Sequence, residues 1–154
     1  MSKIEIGKKA PHFALDGTNG KWSLEDAAGS NVVIYFYPRD NTPGCTQEGE
    51  SFTRNYAQFK KAKTLIFGIS ADSVASHEKF KTKMAFPFEL LSDPDQRVCK
   101  LYDVIREKNM YGKKYMGIER STFLIDGKGV LREEWRKVKV NGHAEAVLAA
   151  VKAP

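Results

Sequence analysis

Val32-Val-Ile-Tyr-Phe-Tyr37, running straight into Pro38-Arg-Asp-Asn-Thr-Pro-Gly-Cys45, decides the fold. Six apolar residues without alternation mark a strand buried on both faces, at the centre of a sheet covered by helices. A helical stretch follows to about Lys61, with Phe52, Tyr56 and Phe59 at i, i+4 and i+7. Thr64-Leu-Ile-Phe-Gly-Ile-Ser70 is a second buried strand. Residues 32–70 therefore form a strand–helix–strand unit, whose crossover is right-handed and whose strands are parallel.

Working outward, Phe13-Ala-Leu15 and Lys21-Trp-Ser23 flank the turn-rich Asp16-Gly-Thr-Asn-Gly20, which predicts a small hairpin. Ser23 with Asp26 opens a short helix that Gly29 ends. Asp72 or Ser73 can cap a helix carrying Val74, His77, Phe80 and Met84 on one side. Phe88-Glu-Leu-Leu91 is a short strand, and Ser92-Asp93-Pro94 opens a helix through Tyr102. Residues 103–118, polar and glycine-containing, read as a long loop. Ser121–Asp126 and Val130–Trp135 are strands joined by Asp126-Gly-Lys-Gly129. The last helix runs from about Gly142 to Lys152, with Ala146, Val147, Ala150 and Val151 on its apolar side. An early parallel crossover and a late antiparallel hairpin predict an α/β, thioredoxin-like fold, a mixed central sheet flanked by helices.

The whole chain, 154 residues with 42% hydrophobic and 29% charged, suits a single domain. Cys45 and Cys99 are too few for a disulfide-stapled scaffold. No apolar run approaches the ~20 residues of a membrane span. The opening Met1-Ser-Lys-Ile-Glu-Ile-Gly-Lys-Lys9 lacks the apolar block of a signal peptide. The expectation is a soluble, reduced, cytoplasmic protein with no membrane partner. The net charge of +6 is spread over scattered Lys and Arg, so it reads as a solvated face and not as a nucleic-acid surface.

Chemistry is expected in the turn after Tyr37, because ligands of open α/β sheets gather beyond the carboxyl ends of the strands. With Thr42 as N-cap, Pro43 is N1, Gly44 N2 and Cys45 N3. Free N–H groups and the positive end of the helix dipole converge there. Such a position favours thiolate over thiol, and the thiolate is the nucleophile. The bland alternative is a small apolar residue in a first turn. A phosphate cradle would use the same kind of turn, but neither Gly-x-x-x-x-Gly-Lys-Ser/Thr nor Gly-x-Gly-x-x-Gly occurs. A dithiol motif is excluded by the lack of Cys-x-x-Cys. His12, His77 and His143 have no ligand spacing to another His, Cys or carboxylate, so no metal site is expected. Glu48, one turn beyond Cys45, could pair with Arg39 or Arg120, or be a helix-surface acid. Cys99, among Val98, Leu101 and Tyr102, reads as a buried small hydrophobe.

Tyr35-Phe-Tyr-Pro-Arg-Asp-Asn-Thr-Pro-Gly-Cys-Thr46 resembles the active-site segment of the peroxiredoxins, Pro-x-x-x-Thr-x-x-Cys. Leu90-Leu-Ser-Asp-Pro94, Val98-Cys99 and Gly117-Ile-Glu-Arg-Ser-Thr-Phe-Leu-Ile-Asp126 extend it, and it is nearest the bacterioferritin comigratory protein (peroxiredoxin Q) subgroup. The resemblance covers the chain from about Gly7 to Leu148. It implies a thiol peroxidase with Cys45 as peroxidatic cysteine and Thr42 bonding the sulfur and the peroxide oxygen. Pro38 would shield the thiolate, and Arg120 would add a cation beside it. It further implies a monomer without metal, haem or flavin. Its substrates would be hydrogen peroxide and organic hydroperoxides, and its reductant thioredoxin, glutaredoxin or a small thiol. The sequence departs from the subgroup where a resolving cysteine would stand five residues after Cys45, since Glu50 is there. The helix over residues 74–85 also lacks one, which points to a one-cysteine cycle, the other route being Cys99 reaching Cys45 after local unfolding. Other readings are a thiol-transfer enzyme using Cys45, or a basic binding module on the same scaffold.

Overall fold

β3 (Asn31–Phe36) pairs on one side with parallel β4 (Thr64–Ser70), which pairs in turn with parallel β5 (Glu89–Ser92). On its other side β3 meets antiparallel β8 (Ser121–Ile125), with β9 (Leu131–Trp135) beyond. The hairpin of β1 (Ala14–Gly17) and β2 (Gly20–Ser23) joins through β5, giving the seven-stranded order β2-β1-β5-β4-β3-β8-β9. These positions come from a computed structural model that describes residues 4–153.

Side chains alternate along a strand, so β3 feeds two cores. Val32, Ile34 and Phe36 join Phe13, Phe67, Cys99, Tyr102 and Phe123 on one face of the sheet. Val33, Tyr35 and Tyr37 join Cys45, Phe52, Phe59, Phe80 and Val147 on the other. The second layer is built by α1 (Pro43–Arg54), α2 (Tyr56–Lys61), α3 (Val74–Met84) and α5 (His143–Lys152). The first layer holds α4 (Arg97–Leu101), whose Val98 and Cys99 are buried. Both faces of β3 are covered, which is why its six residues need no polar alternation.

Four details differ from expectation. Residues 103–118 are not a loop but a separate antiparallel pair, β6 (Ile105–Met110) and β7 (Lys113–Ile118). Tyr111 and Gly112 turn it at φ of 53° and 81°, the conformation of a two-residue hairpin turn. It was hidden because only its base, Ile105 and Ile118, packs on the core, so no apolar alternation shows. The helix expected from Pro94 starts later: Gln96 turns left-handed at φ 59°, and the Asp93 carboxylate accepts from the amides of Val98 and Cys99. The stretch from residue 43 to 61 breaks at Asn55, whose amide side chain donates to the Ser51 carbonyl at 2.9 Å. Ala146 faces solvent, and His143, Ala144 and Leu148 take its place in the buried stripe.

Gly49 is where α1 meets the rest of its layer most closely. A Cβ there would lie 2.3 Å from the ring of Phe86. That ring cannot retreat, being stacked on Phe88 at 5.1 Å and edge-on to Phe80 at 5.0 Å. Gly49→Ala therefore overpacks by roughly 1–3 kcal/mol, more than the ~1 kcal/mol a mid-helix Ala restores. Denaturant unfolding of the variant should show a lower midpoint at unchanged slope.

Candidate active site

β3 ends at the sheet's carboxyl edge, and residues 37–42 carry the chain into α1. Tyr37 is still pinned there, its amide donating to the Ile69 carbonyl at 3.0 Å. Its hydroxyl donates to Asp40 Oδ1 at 2.6 Å. Asp40 is also bonded to His77 Nδ1 at 2.7 Å and accepts from the Ser76 hydroxyl at 2.8 Å. Burial pushes the Asp40 carboxyl up, but the bonds from His77, Tyr37 and Ser76 outweigh it and hold its pKa below the ordinary value. The Asp40 amide donates to Asp72, and the second nitrogen of His77 bonds the Leu91 carbonyl. This network fastens the turn to α3 and β5. It also corrects the reading of His77 as isolated: ligand atoms of Asp40, Asp72 and His77 lie within 4.8 Å of one another. They are committed to hydrogen bonds with one another, with the backbone and with the hydroxyls of Tyr37, Ser70 and Ser76.

Thr42 is the N-cap of α1, with extended backbone at ψ 156°, and Pro43 follows at N1. Its hydroxyl does not cap the helix amides. It donates to the Arg39 carbonyl at 3.0 Å, which closes the turn. Cys45 falls at N3 as expected and is only 2% exposed. Pro38 is exposed at the rim, beside Arg120 in an open cleft of about 530 Å³.

Arg120 stands at the junction of β7 and β8. Its Nη2 donates to Cys45 Sγ at 3.5 Å, and its Nη1 donates to Glu48 Oε1 at 2.7 Å. Burial would lower the guanidinium's pKa, but the Glu48 carboxylate and the Cys45 sulfur raise it. Gly44 leaves it room, since a Cβ there would lie 3.0 Å from Nη2. Glu48 is 1% exposed and is no surface acid. Its Oε2 has no hydrogen-bond partner among the described residues. Burial pushes the Glu48 carboxyl up to about 7, against the pull of Arg120.

The geometry thus gathers Cys45, Thr42, Pro38 and Arg120 at one sheet end, and adds Glu48. Sequence reasoning missed the Tyr37–Asp40–His77 support, because 37 residues separate Asp40 from its histidine. Cys99 is elsewhere: it lies in the core on the opposite face of the sheet. Burial and then Asp93 push its thiol far above the ordinary range.

A sequence model of the AhpC/TSA family matches residues 6–134. The chain belongs to that family. It is 51% identical over 146 residues to a putative peroxiredoxin Bcp of Coxiella burnetii, spanning 94% of this chain and 97% of that protein. Its fold matches a Xylella fastidiosa PrxQ mutant at TM-score 0.92 with 43% identity, covering 99% and 98% of the two chains. The Xanthomonas campestris bacterioferritin comigratory protein, studied for alkyl peroxide reduction, matches at TM-score 0.87 with 52% identity over 91% of this chain and 90% of its own. The chain is therefore a peroxiredoxin of the Bcp or PrxQ kind, a thiol peroxidase on a thioredoxin-like fold. No helix among the described residues is long and apolar enough to cross a membrane.

The peroxiredoxin's buried Glu48 has a pH signature. Its folded pKa, about 7, lies above the 4.5 of a free glutamate, so the folded state holds the proton more tightly. That contribution to stability is fully present below the unfolded pKa and is lost as pH rises through about 7. Glu48→Gln should remove this loss. Denaturant unfolding from pH 5 to 8 should show wild type falling relative to the variant, by on the order of 1–3 kcal/mol. Parallel curves would show that Glu48 does not titrate in this window.

Proposed function

We propose that Cys45 is the peroxidatic nucleophile, reducing hydrogen peroxide and organic hydroperoxides, and that the described residues act as one domain. The observation behind this is the guanidinium of Arg120 donating to the Cys45 sulfur at the N-terminus of α1. The thiolate attacks the nearer peroxide oxygen. An S–O bond forms, the O–O bond breaks, and the departing alkoxide or hydroxide takes a proton. Arg120 faces both the sulfur and the charge that moves onto the leaving oxygen, and a guanidinium keeps its own charge throughout. Thr42, whose proton is spent on the Arg39 carbonyl, keeps lone pairs to accept from the hydroperoxide O–H. Pro38 shields the rim from water. Glu48 positions Arg120 from behind.

The second half of the cycle takes electrons from thioredoxin, glutaredoxin or a small thiol, in a cytoplasmic monomer. The sheet between Cys45 and Cys99 supports a one-cysteine route, because a disulfide needs Cα atoms within about 7 Å. Glu50, in the position of a resolving cysteine, is exposed on α1.

Cys45→Ser should bring peroxide consumption to the buffer level, and Cys99→Ser should leave the first oxidation intact. Arg120→Ala should slow it roughly 100-fold in a stopped-flow measurement. Intact mass after one equivalent of peroxide, without reductant, should show one added oxygen on Cys45. A loss of two mass units with a peptide joining Cys45 to Cys99 would refute the one-cysteine route.

A further inference from the structure

The cleft outside Cys45 carries cations that the peroxide step does not use. Pro38, Arg120, Lys137 and Val138 form one side, and Arg106 and Lys108 of β6 form another. Arg120 is the wall shared with the active site, since its guanidinium touches the Cys45 sulfur. The Val138 amide donates to the Arg120 carbonyl at 3.0 Å, which fixes the Lys137 segment beside it.

The charges in this cleft do not balance. Arg106 is paired with Asp103 at 3.1 Å, and Glu107 with Lys114 at 3.7 Å. Arg120 is taken by Glu48. Lys108 and Lys137 remain without an ion pair among the described residues, and Glu119 is the one unpaired carboxylate in the lining. Lys108 is not a loose surface lysine. Its stem packs over Gly117, where Cδ lies 3.2 Å from the position of a Cβ, and its residue is half-buried. Burial and then the neighbouring Arg120 charge lower its pKa, while Cys45 and Glu119 oppose them. Two lysines without carboxylate partners line one cleft at the mouth of a buried sulfur, where an anion entering from solvent meets their charge.

We propose that this cleft binds the carboxylate of a small anionic thiol, with Lys108 and Lys137 as its contacts, and so selects the reductant of the Cys45 sulfenic acid. This rests on the reading of Cys45 as peroxidatic. A neutral hydroperoxide gains little from these ammonium groups. A carboxylate-bearing thiolate has two charges to place there, and its local concentration rises accordingly. The thiolate sulfur attacks the Cys45 sulfur; the S–S bond forms, the S–O bond breaks, and hydroxide leaves as water after taking a proton. A second thiolate then attacks the incoming sulfur of the mixed disulfide. It releases the symmetrical disulfide and returns Cys45 as thiolate, so two thiols supply the two electrons.

The test compares 3-mercaptopropionate, 2-mercaptoethanol and cysteamine as reductants of pre-formed sulfenic acid, with each rate referred to its own thiolate concentration. Mass first verifies the added oxygen on Cys45. At low salt the wild type should favour 3-mercaptopropionate over 2-mercaptoethanol by roughly tenfold and disfavour cysteamine, with the preference shrinking as salt rises. The Lys108→Gln, Lys137→Gln double variant should bring the ratio to about one, while Lys108→Arg, Lys137→Arg keeps it. The ratio within each protein cancels any general loss of activity or fold. Equal rates in the wild type, or a preference that survives the double Gln variant, would overturn the proposal. A preference seen only with carboxylate-bearing hydroperoxides, in the oxidation step, would also overturn it. Absence of oxygen on Cys45 would instead refute the peroxidatic reading beneath it.

Discussion

Arg120 lies between a buried carboxylate and a buried sulfur, and the topology of the sheet puts it there. β8 runs antiparallel to β3 with Ser121 opposite Phe36, so the residue before β8 falls beside the residue after β3. A one-residue slip of that register would turn Phe123 from one core into the other, which both packed faces forbid. Burial of β3 on two sides therefore fixes where the guanidinium stands relative to the start of α1. The Glu48 carboxylate, one helical turn beyond Cys45, then holds it by a bond of 2.7 Å. Removing Glu48 would leave the guanidinium without its carboxylate partner, a larger loss than the pair's net contribution.

Much of this was legible in the order of residues, for a physical reason. Val32–Tyr37 and Thr64–Ser70 are long apolar runs whose burial on both faces admits few arrangements, and Thr-Pro-Gly-Cys is local helix-start chemistry. The pairing of Glu48 with Arg120 was visible as one of three readings, beside a pair with Arg39 and a helix-surface acid, because it lies one turn from Cys45. The β6–β7 hairpin was not legible. Its strands are solvated on both faces except at the base, so neither period 2 nor an apolar run appears, although its Tyr-Gly turn was in view. Missing that hairpin hid Lys108 as well. The Asp40–His77 bond, closed only by the docking of α3, leaves no local trace.

The polar network under the Pro38–Thr42 turn shows how an exposed turn is kept in one conformation. Tyr37, Ser76 and His77 all meet the Asp40 carboxylate, and Asp72 accepts from the Asp40 amide and from the Ser70 hydroxyl. Each member is satisfied by another, so burial costs little and the arrangement has one low-energy form. The Arg39 carbonyl is thereby placed to receive the Thr42 hydroxyl, and the geometry of the residues before Cys45 rests on α3 as much as on α1.

The sheet itself constrains how this thiol can be recycled. Gly44 and Gly49 lower the intrinsic helix propensity of α1 around Cys45. β3 and β4 lie between the first turn of α1 and the core where Cys99 is buried with Val98 and Tyr102. The same double burial that defines the fold thus divides the two cysteines. The cleft at Pro38 and Arg120 opens to solvent, and β6 and the segment after β9 place their lysines there.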